Sequence, residues 1–210
     1  MTAPLLYTFR RCPYAMRARM ALLQSSVRFQ AYELVLSDKP AEMLLKSPKG
    51  TVPVLVLGGD HVIDESWLIM EWAFANHDEG LWWARAQSQE NLGLLALNDG
   101  VFKEKLDRYK YANRYLGVSP SDEREQACDL FLRPLELRLQ DQAMLGGAVP
   151  CATDLAIFPF VRQFAAVDLD WFSKQQLPAV QKWLAVWTGS ELFARCMLRL
   201  PVRTWQWFDA

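Results

Sequence analysis

The chain has few histidines and cysteines to bind a metal ion, and it has no excess of basic residues to bind a nucleic acid. Only two of its 210 residues are histidines, His61 and His77, and the four cysteines, at positions 12, 128, 151 and 196, are too irregularly spaced for a metal site. The formal net charge is −1, whereas a nucleic-acid-binding surface would be basic. We therefore expect neither a metal nor a nucleic-acid partner.

Long apolar runs are also missing from the sequence. No stretch approaches the ~18 consecutive apolar residues of a membrane-spanning helix, and the first residues, MTAPLLYTF, have no basic region ahead of an apolar run. We therefore expect no membrane association and a cytoplasmic location. The composition is 51% hydrophobic, with 9 Trp and 11 Phe, which is enough for a full core.

A cysteine at a predicted junction of strand and helix is the main chemical feature. Residues 5–9 read as an apolar strand, Pro13 suits the first position of a helix, and Cys12 lies between the two. A helix N-terminus and four neighbouring arginines would both stabilise a thiolate over a thiol. The alternative is a small buried hydrophobic residue, as most isolated cysteines are. The Cys-Pro-aromatic-Ala context favours the reactive thiol.

The second cysteine of a Cys-x-x-Cys pair is missing, because position 15 is alanine. An intramolecular disulfide at this site is therefore excluded. Any redox cycle must take its resolving thiol from a small molecule or from a substrate.

The first 80 residues predict an alternation of strands and helices. A strand within residues 27–36 would complete a βαβ unit, whose two strands are parallel. The sequence then predicts a short helix over residues 41–46, a strand over 51–57, a hairpin turn at residues 58–60, a short returning strand over 61–63 and a helix over 67–77. This order matches the thioredoxin-like arrangement.

Two positions in this region each have two interpretations when taken alone. Pro53 is either an ordinary trans proline at a sheet edge or a cis proline that turns the N–H and C=O of Val52 outward. Glu65 and Ser66 either cap the following helix or offer its free N–H groups and a hydroxyl to a ligand.

Three spaced motifs resemble the N-terminal domain of glutathione transferases. They are Cys-Pro-Tyr-Ala after the first strand, Thr-Val-Pro-Val, and Asp-Glu-Ser before a helix. Within that superfamily the sequence is most similar to the cysteine-type, Omega-like members and to bacterial glutaredoxin-2-like proteins. The resemblance implies that Cys12 is the catalytic nucleophile and that glutathione is the co-substrate. It also implies a set of glutathione-binding residues: Pro13, Tyr14, Lys39, Val52, Pro53 (as a cis proline), Glu65 and Ser66.

The chemistry of glutathione suits these residue types. The backbone of Val52 can pair with the cysteinyl amide of the tripeptide, and Ser66 at a helix N-terminus can bind the γ-glutamyl carboxylate. Glu65 could pair with the γ-glutamyl ammonium, and Lys39 with the glycyl carboxylate. Lys46 and Lys49 are close alternatives to Lys39.

The implied fold is an α/β thioredoxin-like domain followed by an all-α helical domain. We expect the first domain over residues 1–78, a linker over 79–86 and the helical domain over 87–210. The second substrate is expected between the domains, with Tyr109, Tyr111 and Trp171 as candidates for its wall, although each is also a candidate for plain core. The family also implies a homodimer.

Two features of the helical half are predicted in more detail. A long helix over residues 88–115 should be loosened near residues 98–100, where Asn, Asp and Gly follow one another. A capping box should open a helix near residue 155, with Asp154 in the acidic position and Cys151, a poor acceptor, in the cap position.

The expected activity is that of a glutathione-dependent thiol transferase or reductase. Its substrates would be mixed disulfides, dehydroascorbate or glutathionyl adducts. One alternative is a conventional conjugating transferase that uses Tyr7, which lies on the first strand, where tyrosine-type enzymes carry their catalytic hydroxyl. The other is a non-catalytic interaction module with the same fold.

Overall fold

A computed structural model describes residues 3–58 and 61–208. Within them, five strands form one mixed sheet in the spatial order β4-β3-β1-β2-β5. The strands are β1 (Leu5–Thr8), β2 (Gln30–Glu33), β3 (Val54–Val56), β4 (Val62–Ile63) and β5 (Trp205–Trp207). β1 and β2 are parallel, which confirms the predicted βαβ unit, and the other neighbours are antiparallel. Gly59 and Asp60 of the predicted hairpin turn lie outside the described residues.

Three helices accompany the first four strands. They are α1 (Pro13–Gln24), α2 (Ala41–Lys46) and α3 (Ser66–Asn76), close to their predicted bounds. α1 packs against α3 and buries a row of small and apolar side chains, Ala15, Ala18, Met20 and Leu22 among them. Proline at the first position and the absence of any later breaker explain why α1 runs for 12 residues.

Residues 81–189 form a second compact unit, and all the regular secondary structure described in this unit is helical. Its helices are α4 (Trp82–Ala86), α5 (Gln89–Leu97), α6 (Lys103–Lys110), α7 (Pro120–Ala127), α8 (Arg133–Asp141), α9 (Ala152–Ala165), α10 (Leu169–Ser173) and α11 (Pro178–Thr188). π-helical segments join α5 to α6 and α7 to α8. The first of them contains Gly100, whose φ of −95° and ψ of −106° are not helical, so the predicted loosening is confirmed.

Asp154 ties the start of α9 to two other parts of the helical unit. Its fully buried carboxylate accepts hydrogen bonds from the N–H of Cys151 (2.9 Å), the N–H of Leu145 (3.0 Å) and the indole N–H of Trp183 (2.8 Å). Burial raises the pKa of this carboxyl, and the N–H donors act in the opposite direction. The carboxylate half of the predicted capping box is therefore present.

The C-terminal tail differs from the prediction, which assigned residues 87–210 to the helical domain. The described residues from 190 to 208 cluster with the described residues of the first 80 instead, as helix α12 (Glu191–Cys196) and strand β5. β5 pairs with β2, and the ring of Trp205 lies 4.9 Å from that of Tyr7 and 5.3 Å from that of Tyr32. Burial of these aromatic rings explains why the C-terminal tail packs against the sheet. The predicted linker differs too, because residues 82–86 form α4 of the second unit.

Candidate functional site

Cys12 occupies the N-cap position of α1, directly before the buried Pro13. Its N–H donates to the carbonyl oxygen of Phe9 at 3.0 Å, which closes the turn between β1 and α1. Its Sγ lies 3.7 Å from the carbonyl oxygen of Val52, and the side chain is partly exposed. The sulfur is thus within reach of solvent and beside the N-terminal end of the helix.

The peptide bond between Val52 and Pro53 is cis, as the family resemblance implied. Pro53 is buried and Val52 is partly exposed. Since the Val52 carbonyl contacts the thiol of Cys12, two of the three motifs meet at this point.

Ser66 is the first residue of α3, and it joins the third motif to α1. Its side chain is only 3% exposed, and its Oγ accepts a hydrogen bond of 2.9 Å from the Nε of Arg17. The guanidinium carbon of Arg17 lies 5.0 Å from the ring centre of Tyr14, in the range of a cation–π contact. The N-terminal ends of α1 and α3 are therefore connected through Arg17.

Sequence reasoning counted Arg17 only as a nearby positive charge. The structure shows it almost fully buried, at 3% exposed, between two of the predicted site residues. Two arginines, Arg17 and Arg19, in a helix of mostly small and apolar residues were the available signal, since a charged residue is buried only when it has partners.

Arg19 supports the turn that carries Cys12. It is 1% exposed, and its guanidinium donates to the carbonyl oxygen of Arg10 at 2.8 Å, to that of Phe9 at 3.4 Å and to the hydroxyl of Thr8. Its Nε donates to the carbonyl oxygen of Cys196 at 3.1 Å, at the end of α12. Arg19 therefore fixes the end of β1 and attaches the C-terminal tail to it.

Glu33 holds the same turn from the neighbouring strand. Its Oε1 accepts a hydrogen bond of 2.8 Å from the N–H of Arg10. Burial raises the pKa of this carboxyl, while the N–H of Arg10 and the charge of Arg19 oppose the rise. The turn before Cys12 is thus held on both sides by buried charged groups.

Glu65, the N-cap residue of α3, is exposed and pairs with Lys49. The Nζ of Lys49 also lies 3.1 Å from Oδ1 of Asp64, which accepts a further bond of 2.8 Å from the hydroxyl of Ser47. Partial burial opposes ionisation of Asp64, but the bonds from Ser47 and Lys49 outweigh it and lower the pKa of that carboxyl. Lys49, the alternative to Lys39 in the sequence, therefore lies against Glu65.

Lys39 lies beside the same loop without an ion pair among the described residues. A Cβ atom added at Gly50 would be 3.7 Å from its Nζ, so the ammonium is next to the backbone that follows Lys49. Lys39 is partly exposed. The structure therefore brings both lysines to one loop.

Tyr7 is 2% exposed and points into the core on the side of α2. It packs with Leu34, Met43, Val54 and Val56. Burial first, and then the carboxylate of Glu42, raise the pKa of its hydroxyl to about 12. The residue is thus a core residue with a neutral hydroxyl directed at a carboxylate.

Two of the three residues predicted for the second substrate lie together within the helical unit. The guanidinium carbon of Arg124 is 4.0 Å from the ring centre of Trp171 and 5.9 Å from that of Tyr109, and both rings pack on Phe164. Tyr109 is 8% exposed, and burial raises its pKa. Tyr111 instead lies against two basic side chains, Lys110 and Arg114.

Two kinds of feature are absent from the part of the chain that the structure describes. No cluster of three or more His, Cys, Asp or Glu side chains there could hold a metal ion. None of the described helices combines the length and the apolar character that crossing a membrane requires.

Comparisons with known proteins agree with this geometry. Residues 6–80 match the family model of the glutathione S-transferase N-terminal domain. Over 66 residues, 31% of this chain, the sequence is 35% identical to glutathione S-transferase omega-1 of Mus musculus, and the match spans only 28% of that protein. It is 26% identical over 182 residues to glutathione S-transferase U28 of Arabidopsis thaliana, which covers 83% of this chain and 80% of that protein.

A solved structure shows the same fold over nearly the whole chain. The glutathione transferase URE2P6 from Phanerochaete chrysosporium, solved in complex with oxidized glutathione, matches with a TM-score of 0.76 and 18% identity, over 92% of this chain and 94% of that one. At this identity the likeness shows the fold alone. The chain is therefore similar to glutathione S-transferases in two respects, the sequence of its N-terminal domain over residues 6–80 and its fold.

Proposed function

We propose that this chain is a cysteine-type, Omega-like glutathione-dependent thiol transferase, and that Cys12 is its nucleophile. The observation that carries the proposal is the position of the Cys12 sulfur at the N-cap of α1, partly exposed and 3.7 Å from the carbonyl oxygen of Val52. A helix N-terminus stabilises a negative charge, so a thiol there is favoured as thiolate, the form that attacks disulfides.

Glutathione would bind in an extended conformation along the residues around this sulfur. The backbone of Val52, beside the cis Pro53, would pair with the cysteinyl amide, and Ser66 at the N-terminus of α3 would take the γ-glutamyl carboxylate. Glu65 would meet the γ-glutamyl ammonium. Pro13 and Tyr14 would form the wall next to the thiol.

The glycyl carboxylate would be bound by a lysine of the loop near Gly50. Lys39 is the better candidate, since Lys49 is already paired with Asp64 and Glu65. An ammonium with no carboxylate partner among the described residues can bind a ligand carboxylate without first breaking an ion pair.

The reaction is two successive thiol–disulfide exchanges. The Cys12 thiolate attacks the glutathionyl sulfur of a mixed disulfide, forms a Cys12–glutathione disulfide and releases the substrate as a thiolate, which takes a proton. The thiolate of a second glutathione then attacks the glutathionyl sulfur on Cys12, releases oxidised glutathione and restores the Cys12 thiolate. No second protein cysteine is needed, in keeping with alanine at position 15.

The remaining parts of the proposal rest on the family resemblance. Tyr109, Tyr111 and Trp171, all in the helical unit, remain the candidates for contact with the second substrate. Two copies of the chain would associate as a homodimer in the cytoplasm. The second substrate would be a mixed disulfide, dehydroascorbate or a glutathionyl adduct.

A conventional conjugating activity based on Tyr7 is less well supported. A catalytic hydroxyl must reach the thiol of bound glutathione, whereas Tyr7 is 2% exposed and its hydroxyl interacts with Glu42. A non-catalytic interaction module, in turn, would have no need for a partly exposed Cys12 next to a buried Arg17–Ser66 pair.

Mass spectrometry after incubation with oxidised glutathione tests the proposal. The wild type should gain one glutathionyl group, on Cys12, that reduced glutathione removes, and Cys12→Ser should gain none. Cys128→Ser, which removes a buried cysteine, is the matched control and should be modified like the wild type. An adduct on another cysteine, or none in the wild type, would refute the proposal.

A further inference from the structure

A cavity of about 800 Å³ lies in the first unit, apart from the candidate active site. Its walls come from the turn after α1, the end of β3 and the last turn of α3. This volume is within the range of pockets that hold small organic molecules, roughly 300 to 1,000 Å³. The cavity is therefore large enough for a ligand of two or three fused or linked rings.

The cavity and the candidate active site lie at opposite ends of the same three elements. Cys12 caps the N-terminus of α1 and Ser25 caps its C-terminus, about 18 Å away for 12 residues at 1.5 Å each. Likewise Ser66 opens α3 and Asn76 ends it. Cis Pro53 precedes β3, and Leu57 follows it. A ligand in the cavity would thus not compete with glutathione at Cys12.

The lining is mainly apolar and carries no formal charge among the described residues. Val27, Leu57 and Trp72 supply apolar surface, and the indole of Trp72 gives one flat wall. None of the described lining residues is Lys, Arg, Asp or Glu, and the one ionisable side chain among them is the exposed His77. A charged ligand would lose hydration here without gaining a counter-charge from a carboxylate, lysine or arginine of the described lining, so an uncharged ligand is favoured.

One lining residue has a buried hydroxyl with no hydrogen-bond partner among the residues that the structure describes. Ser25 is 2% exposed, and its Oγ makes no hydrogen bond within the described part of the chain. Most buried polar side-chain atoms in proteins have a partner. Since Ser25 lines the cavity, a molecule bound there could supply the missing hydrogen-bond partner.

We propose that this cavity is a second binding site, and that its ligand is an uncharged aromatic small molecule with one hydrogen-bonding group. The indole of Trp72 stacks on the ligand's rings, and Ser25 binds the polar group. The proposal does not depend on thiol transfer at Cys12, because none of its residues belongs to that site.

A pair of fluorescent probes tests the charge preference on the full chain. N-phenyl-1-naphthylamine is uncharged and carries one N–H, and 8-anilinonaphthalene-1-sulfonate has the same ring system with a sulfonate added. The uncharged probe should bind saturably, the sulfonate about tenfold more weakly, and saturating reduced glutathione should displace neither. Absence of saturable binding, equal affinity for both probes or displacement by glutathione would overturn the proposal.

Substitutions that fill the cavity from two elements locate the bound probe. Val27→Phe and Asn76→Phe should each weaken binding of the uncharged probe about tenfold or more. Asn76 is exposed at the end of α3, so its substitution leaves the core intact. Val186→Phe, at a 48% exposed position of α11, is the matched control and should bind like the wild type. Unchanged affinity in the Asn76 variant, or an equal loss in the control, contradicts the assignment.

The hydroxyl is tested separately. Ser25→Ala should weaken binding of the uncharged probe about fivefold, since it removes one neutral hydrogen bond. If Ser25→Ala bound the probe with wild-type affinity, the assignment of the polar contact would be wrong.

Discussion

The Nε of Arg17 donates a hydrogen bond of 2.9 Å to the Oγ of Ser66, and both side chains are 3% exposed. The two residues are 49 positions apart in sequence and belong to α1 and α3. If Ser66 binds the γ-glutamyl carboxylate, Arg17 holds the hydroxyl in place and brings a positive charge close to that carboxylate.

Replacement of Arg17 should therefore weaken glutathione binding. We expect Arg17→Met to raise the Kd for glutathione about tenfold and Arg17→Lys to recover part of the loss, because lysine keeps the charge but not the geometry of the guanidinium. Isothermal titration calorimetry measures both. Arg199→Met, at an exposed arginine, is the control. A wild-type Kd in Arg17→Met would exclude this role, provided its circular dichroism spectrum is native.

The two lysines of the loop near Gly50 should differ in their effect on glutathione. Lys39→Met should raise the Kd for glutathione about fivefold, because it removes the ammonium available to the glycyl carboxylate. Lys49→Met should have a smaller effect, since Lys49 is paired with Asp64 and Glu65. The same titration decides between them. A larger loss in Lys49→Met would transfer the role to that residue.

The four cysteines should differ in their reactivity toward iodoacetamide. Burial raises the pKa of Cys128 and of Cys151 to about 12, so near neutral pH both are thiols and react little. Cys196 is fully buried, whereas Cys12 is partly exposed. Peptide mapping of the folded protein should find Cys12 alkylated first.

Unfolding in guanidinium chloride is the control for that experiment, because all four cysteines should then react. If Cys128 or Cys151 were alkylated in the folded protein as fast as Cys12 is, that result would contradict the burial of these two cysteines.

The carboxylate of Asp154 should be important for stability. It accepts hydrogen bonds from the N–H groups of Leu145, Cys151 and Trp183, and an amide would place an NH₂ group against some of these donors. We expect Asp154→Asn to lower the free energy of unfolding by about 3 kcal/mol, measured by urea denaturation. Asp141→Asn, at the exposed end of α8, should change it by less than about 0.5 kcal/mol. Equal stability of both variants would contradict the network.

Local patterns explain which parts of the fold could be predicted. Pro13 fixed the start of α1 because proline is favoured at that position, and alternation of strand and helix patterns predicted the sheet up to β4. The cis bond before Pro53 followed only from the family resemblance, since a lone proline in a strand is compatible with either isomer.

Contacts between distant residues explain the parts that could not be predicted. β5 pairs with β2 across more than 170 residues, and no local pattern specifies the partner of an edge strand. The Arg17–Ser66 bond and the pairing of Lys49 with Glu65 depend in the same way on how helices and loops pack. Local motifs in the sequence could therefore name candidate site residues, whereas the residues that contact those candidates could be identified only in the folded structure.

The rate of thiol transfer in matched variants shows whether Cys12 is the nucleophile. Reduction of hydroxyethyl disulfide by glutathione can be followed for the wild type, Cys12→Ser and Tyr7→Phe. We predict that Cys12→Ser lowers kcat about a hundredfold or more, because no nucleophile remains to form the mixed disulfide, while Tyr7→Phe stays within about twofold. Full activity of the Cys12→Ser variant, or loss of activity in a folded Tyr7→Phe variant, would contradict the role proposed for Cys12.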